Sequence, residues 1–189
     1  MEQSNAQEGA IMELATAANA WINTKDSKNP EVIEKARYII NHNYYCVLST
    51  CSPDGLPWGS PVFFAYEYNR GYHIYWCSAV DAKHSQNLYH NYGRVAITIF
   101  DSSVAEGTGS GLYFYGSASE LDVDQIERVV KLMANRAGKE INRTVTDYLD
   151  GSPRRLYHFQ PDQVWITGER LPVGNQLVDT KIQISLSEF

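Results

Sequence analysis

Two hydrophobic rhythms run along the chain. Over residues 9–22, Ile11, Leu14, Ala15, Ala18 and Trp21 recur every three or four positions, the spacing of one face of an amphipathic helix. TKDSKNP interrupts that pattern. A second helix is predicted to open at Asn29-Pro30, with Pro30 at the first helical position, where its missing N–H loses no bond. Val32, Ala36, Ile39 and Ile40 form its apolar stripe, and it is expected to end in NHN, residues 41–43. From Tyr44 the period falls to two. YYCVLST, WGSPVFFAYEY and YHIYWCS are β-branched and aromatic, and SPDG and NRG supply the turns between them. They predict an antiparallel meander. Gly59 and Pro61 lie inside the second strand, where both weaken a ladder, and they predict a bulge, an edge or the close approach of a ligand.

Further on, residues 81–90 predict a short helix with Asp81 as its N-cap. RVAITIFD and LYFYGSASEL are strands joined by the glycine-rich loop SSVAEGTGSG. Asp122 and Gln125 have the spacing of a capping box, and Ile126, Val129, Val130 and Met133 mark the inward face of the helix that follows. A short helical piece is expected over TVTDYL. RRLYHFQPDQVWITG reads as two short strands broken at Gln160-Pro161-Asp162, and NQLVDTKIQISL as the last strand. Six to eight short strands, few helices and no βαβ repeat predict a mainly β, α+β fold: an antiparallel barrel with peripheral helices. Residues 1–42 are expected to form an N-terminal helical arm packed on a barrel domain of residues 43–189.

Composition narrows the function. The formal net charge of −6 argues against nucleic acid as a partner, because the phosphate backbone needs a basic face. Three cysteines, Cys46, Cys51 and Cys77, are odd in number and lack CxxC spacing, which predicts reduced thiols in a cytoplasmic setting. No apolar run has the length of a membrane span, and no secretory signal is expected. His42, His73, His90 and His158 are scattered, with no metal-ligand spacing, so no metal site is predicted.

The sharpest chemistry lies in VDAKHSQNL. Lys83, His84 and Ser85 fall at the start of the short helix, where free backbone amides and the helix dipole favour an anion. The preceding strands place small and hydroxyl residues beside large aromatics: Ser60 and Val62 in one, Trp76, Cys77 and Ser78 in the other. Such a surface suits a flat ring. Ordinary strand alternation and a solvated first turn account for the same residues in a protein that binds nothing. No Walker sequence, GxGxxG or GxSxG is present, and no nucleophile has a base beside it, so catalytic residues are unassigned and any hard chemistry belongs to a cofactor.

In their order, LSTCSPDGLPWGSPVFFAYE, IYWCSAVDAKHSQNL, RVAITIFDS and GLYFYGSASEL resemble the pyridoxamine 5'-phosphate oxidase-like FMN-binding split barrels. The resemblance covers residues 44–121 best, and LYHFQPDQVWI is similar to the family's closing strands. It implies a split barrel, a homodimer, and FMN in a groove at the subunit interface. It implies that Ser60, Pro61, Val62 and Phe63 line the flavin, that Trp76, Cys77 and Ser78 meet ribityl and ring, and that Lys83, His84 and Ser85 hold the phosphate. Trp165 resembles a late-strand aromatic near the ring. The chain departs from the true oxidases in having Ser60 and Ala65 where they carry an arginine and a lysine, and their C-terminal arginine motif is not recognisable in ERLPVGNQLVDTKIQISL. The expected function is an FMN-dependent oxidoreductase acting on a small-molecule substrate or electron donor that the sequence does not identify. A non-catalytic flavin or haem carrier is the alternative, and a purely structural dimer module a third reading.

Overall fold

The computed structural model describes residues 21–24, 26–68 and 71–189. The elements are β1 (Ile22–Asn23), α1 (Pro30–His42), β2 (Tyr45–Cys51), β3 (Pro57–Tyr68), β4 (Tyr72–Ala79), α2 (Lys83–His90), β5 (Arg94–Phe100), β6 (Gly111–Glu120), α3 (Ile126–Ala137), β7 (Arg154–Val173) and β8 (Gln176–Ile184). The strands run in the order β1-β8-β7-β4-β3-β2-β5-β6, and β6 also pairs with β7. That last pairing closes β7, β4, β3, β2, β5 and β6 into a six-stranded antiparallel barrel, with β8 and β1 extending from β7. The expectation of a mainly β split barrel with peripheral helices is met. The helix expected over residues 9–22 lies outside the described residues except at its end, where Ile22 and Asn23 pair in parallel with Lys181 and Ile182 of β8.

Alternation sorts side chains to the two faces of the barrel wall. Leu48, Val62, Phe64, Ile74, Trp76, Ile97, Phe114 and Phe159 point into one buried core. On the outer face, Ala65 and Tyr75 meet Val129, Val130 and Met133 of α3 in a second one. α1 opens as its sequence predicts: Asn29 accepts from the Glu31 N–H at 3.0 Å and Pro30 stands in the first turn. Its buried residues are Ile33, Ala36, Ile39 and Ile40, so Ile33 takes the place expected of Val32, which is only partly buried against the same core. Arg136 ties α3 to the end of α1: its guanidinium donates to the carbonyls of Ile40 (2.7 Å) and Asn43 (2.6 Å). It also lies over the rings of Phe64 (4.7 Å) and Tyr66 (4.9 Å).

Three local expectations change. Asp81 does not cap α2; Ala82 occupies the N-cap and makes no side-chain bond. Asp122 makes no cap bond either, because a 3-10 turn over Val123–Gln125 separates it from α3. The capping box forms instead at Thr144 and Asp147, before the short turn Val145–Tyr148. Finally, β7 is one strand of 20 residues rather than two. Pro161 does not break it because the register slips there: Gly116 pairs with Pro161 while Tyr115 pairs with Gln163, leaving Asp162 as the extra residue of a bulge. A Cβ on Gly116 would press on the Gln160 carbonyl and come within 2.8 Å of the Pro161 Cα. Only glycine fits that crossing.

Candidate functional site

β3 changes neighbours midway. Residues 57–63 pair with β2, whereas residues 64–68 pair with β4. Among the described residues, the first half of β3 therefore has a strand on one side only, and this is where the barrel splits. The Phe64 N–H bonds to the Tyr44 carbonyl on the β2 side, so by alternation Gly59, Pro61 and Phe63 turn their backbone polar groups the other way. Pro61 thus sits where its absent N–H removes no ladder bond. Of the three outcomes that Gly59 and Pro61 predicted, the edge is the one observed.

α2 follows directly from the end of β4 and lies against β2 and β3. His84 bridges the split: Nδ1 lies 3.0 Å from the Ser60 hydroxyl and Nε2 lies 2.8 Å from the Ser78 hydroxyl. Burial holds its pKa below the ordinary 6.5, so the ring is neutral at pH 7. Asn87 on the same helix donates to the Thr50 hydroxyl at 2.9 Å. Ser85 is fully buried beside Tyr157 and makes no hydrogen bond of good geometry among the described residues. Trp76 is also fully buried, its ring 5.5 Å from that of Tyr157, and its indole N–H has no partner among the described residues. Val62 and Ser78 are buried on the same inner side.

The predicted residues therefore divide. Val62, Trp76, Ser78, His84 and Ser85 turn inward and build the barrel end. Ser60, Pro61, Phe63, Cys77 and Lys83 retain exposed surface around the open edge. Trp58, a residue the sequence reading did not single out, covers Ser60 by donating its indole N–H to that hydroxyl at 2.9 Å. Lys83 is near Asp54, whose carboxyl is held below its usual range chiefly by the Ser52 hydroxyl and slightly by Lys83. Two arginines also missed by the sequence reading join this rim. Arg154 pairs with Ala79 across the ladder, and it and Arg143 face Cys77, whose thiol is raised by burial and drawn back by those cations. Their only signal in the sequence was a basic residue, which chain distance disconnects from Lys83. Trp165 lies elsewhere. It is opposite Tyr113 and Gln183, nine positions along β7 from Leu156, the partner of Cys77. That is about 30 Å of strand.

A phosphate ester fits this rim: Lys83 is exposed, and the N-cap residue Ala82 gives the first-turn amides of α2 no side-chain bond. His84 points inward, with both ring nitrogens on serine hydroxyls.

An antiparallel barrel opened along one strand edge, with a helix start at the opening, defines the split-barrel class of proteins. A family model described as pyridoxamine 5'-phosphate oxidase matches residues 32–168, more than half of the chain, and the chain belongs to that family. The fold recurs in solved structures. One is a heme binding protein from Mycobacterium smegmatis, at 21% identity and TM-score 0.57, covering 80% of this chain and 58% of that one. Another is the protein Atu2129 from Agrobacterium tumefaciens str. C58, at 19% identity and TM-score 0.60, covering 82% and 61%. A third is the protein Rv2991 from Mycobacterium tuberculosis, at 18% identity and TM-score 0.58, covering 75% and 87%. The chain thus spans about three fifths of the first two. At these identities the likeness is one of fold. A comparison with curated proteins found no match.

Proposed function

We propose that this chain is an FMN-binding oxidoreductase, with the phosphate of the cofactor at Lys83 and the α2 amides and its ring along the open edge of β3. The observation that carries this reading is the meeting of an unpaired strand edge with an uncapped helix start bearing Lys83, in a member of this family. FMN, when bound, supplies hydride transfer at its ring. The chain supplies the setting. Lys83 balances the ester's charge, with Arg154 and Arg143 adding to the positive field. Gly59 offers a backbone N–H and C=O to the polar edge of a ring, and Pro61 and Phe63 offer it apolar surface.

The active form is proposed to be a homodimer. Tyr44, Tyr45, Leu56 and Trp58 are exposed on and around the β2–β3 hairpin, an aromatic surface suited to a second copy. Trp165 would reach a cofactor only across a subunit boundary. The partner in turnover is a small-molecule substrate or electron donor. Among the described residues no helix is long and apolar enough to cross a membrane, and three free thiols suit a cytoplasmic setting.

One absorbance spectrum tests the proposal. Purified protein, or protein incubated with FMN, is expected to be yellow, and Lys83→Ala is expected to weaken FMN binding at least about tenfold, or ~1.4 kcal/mol. A colourless protein that takes up no FMN refutes it. A haem spectrum would assign the site instead to the chemistry named for the M. smegmatis protein. Flavin that no nicotinamide donor reduces would make the chain a carrier.

A further inference from the structure

On the outer face of the barrel, the fold joins two histidines that are 85 positions apart in the chain. His73 of β4 and His158 of β7 meet with Nδ1 of the first 2.7 Å from Nε2 of the second. The ring centroids are 5.0 Å apart and the planes are inclined by 25°. The ring radius at each end accounts for the rest of the 5.0 Å separation, so the two nitrogens face one another head on. A contact of this kind has room for one proton, because one nitrogen must donate and the other must present a lone pair. The pair can be neutral or carry a single positive charge. With both rings charged, two N–H groups would point at each other.

The pair lines a cleft of about 260 Å³ whose other charged and titratable groups come from every neighbouring element: Glu67 of β3, Tyr75 of β4, Glu120 of β6, Asp122 before α3, and Arg128 of α3. Arg128 donates to both carboxylate oxygens of Glu67 at 2.6 and 2.5 Å, and the Tyr75 hydroxyl donates to Glu67 at 2.7 Å. This clamp fastens α3 to β3 and β4. Tyr75 also stacks on His158 at 5.2 Å, so clamp and histidine pair share a wall.

We propose that His73 and His158 form a proton-controlled latch: a shared proton joins β4 to β7, and a second proton parts the rings toward Glu67 and Asp122 and loosens the Arg128–Glu67 clamp on α3. Burial holds His158 below its ordinary range, reinforced by His73 and Arg128 and opposed by Glu67 and Asp122. A depressed folded-state pKa means that the latch contributes fully above the ordinary histidine value and is lost as pH falls below it.

The test is an NMR titration of the imidazole nitrogens in the full chain, carried down through the histidine range. The two rings are expected to titrate together in two steps separated by at least about one pH unit. Backbone shifts around Arg128 are expected to follow the second step. In His158→Gln, an amide that does not titrate replaces one partner, so the loss of Tm on acidification is expected to be smaller than in the wild type. Independent single-step curves for the two histidines in the wild type overturn the proposal, as does an acid-induced loss of Tm that His158→Gln leaves unchanged.

Discussion

His84 offers the sharpest trial of how the barrel end is built. Replacing it with alanine removes two hydrogen bonds, to Ser60 at 3.0 Å and to Ser78 at 2.8 Å. The two serines are left in different states. Ser60 is half-buried and keeps the Trp58 indole as a donor, so water compensates it. Ser78 is 8% exposed and loses its one side-chain partner among the described residues, which costs about 1–3 kcal/mol for a buried polar group left unpaired. The space vacated by the imidazole adds a cavity term, giving about 2–4 kcal/mol in all. Urea unfolding at unchanged m-value measures this loss. Adding Ser78→Ala removes the orphan, so the double variant is expected to be more stable than the sum of the two single losses by about 1 kcal/mol. The ring is held below 6.5 by burial, so its contribution is present above that pH and is lost as pH falls through its lower folded value; His84→Gln is expected to flatten part of that slope. A loss below about 0.5 kcal/mol with no coupling to Ser78 would refute this account. If FMN affinity alone fell, His84 would be a ligand of the phosphate instead of a strut.

Other substitutions probe the frame around the site. Gly116→Ala is expected to lower stability by about 1–3 kcal/mol or to prevent folding, measured by thermal melting, because its Cβ meets backbone atoms that cannot yield. Phe189→Ala is expected to cost about 3–5 kcal/mol in denaturant unfolding, since the ring is fully buried and lies 4.1 Å from that of Tyr72. Arg136→Lys keeps the charge but removes the planar group that lies over Phe64 and Tyr66 and carries the Nη2 donating to both Ile40 and Asn43, and a loss of about 1–2 kcal/mol is expected in the same assay. If Arg136→Lys matches the wild type, the guanidinium is not what holds α1 to α3.

Much of this molecule was legible from local pattern. The opening of α1 at Asn29-Pro30, the buried positions Ile126, Val129, Val130 and Met133 of α3, and the paths of β2, β3 and β4 follow from periodicity and cap chemistry, which act over a few residues. The order of motifs placed the chain in its family. The edge at Pro61 was legible as one of three alternatives, because proline cannot donate to a ladder.

What the sequence alone determined, then, was the class of fold, the family and the course of most helices and strands between residues 30 and 137. Only the tertiary structure decided which way the residues near the start of α2 face and whom they meet. His84 and Ser85 read as anion ligands from their position; in the fold, the ring nitrogens of His84 meet Ser60 of β3 and Ser78 of β4, and Ser85 is buried beside Tyr157 of β7. His73 meets His158, and Arg154 meets the rim around Cys77, because β7 closes the barrel against β4 from far along the chain. Periodicity reports the environment of one segment at a time. Contacts between distant strands depend on closure of the whole sheet, and that is set by the packing of both cores at once.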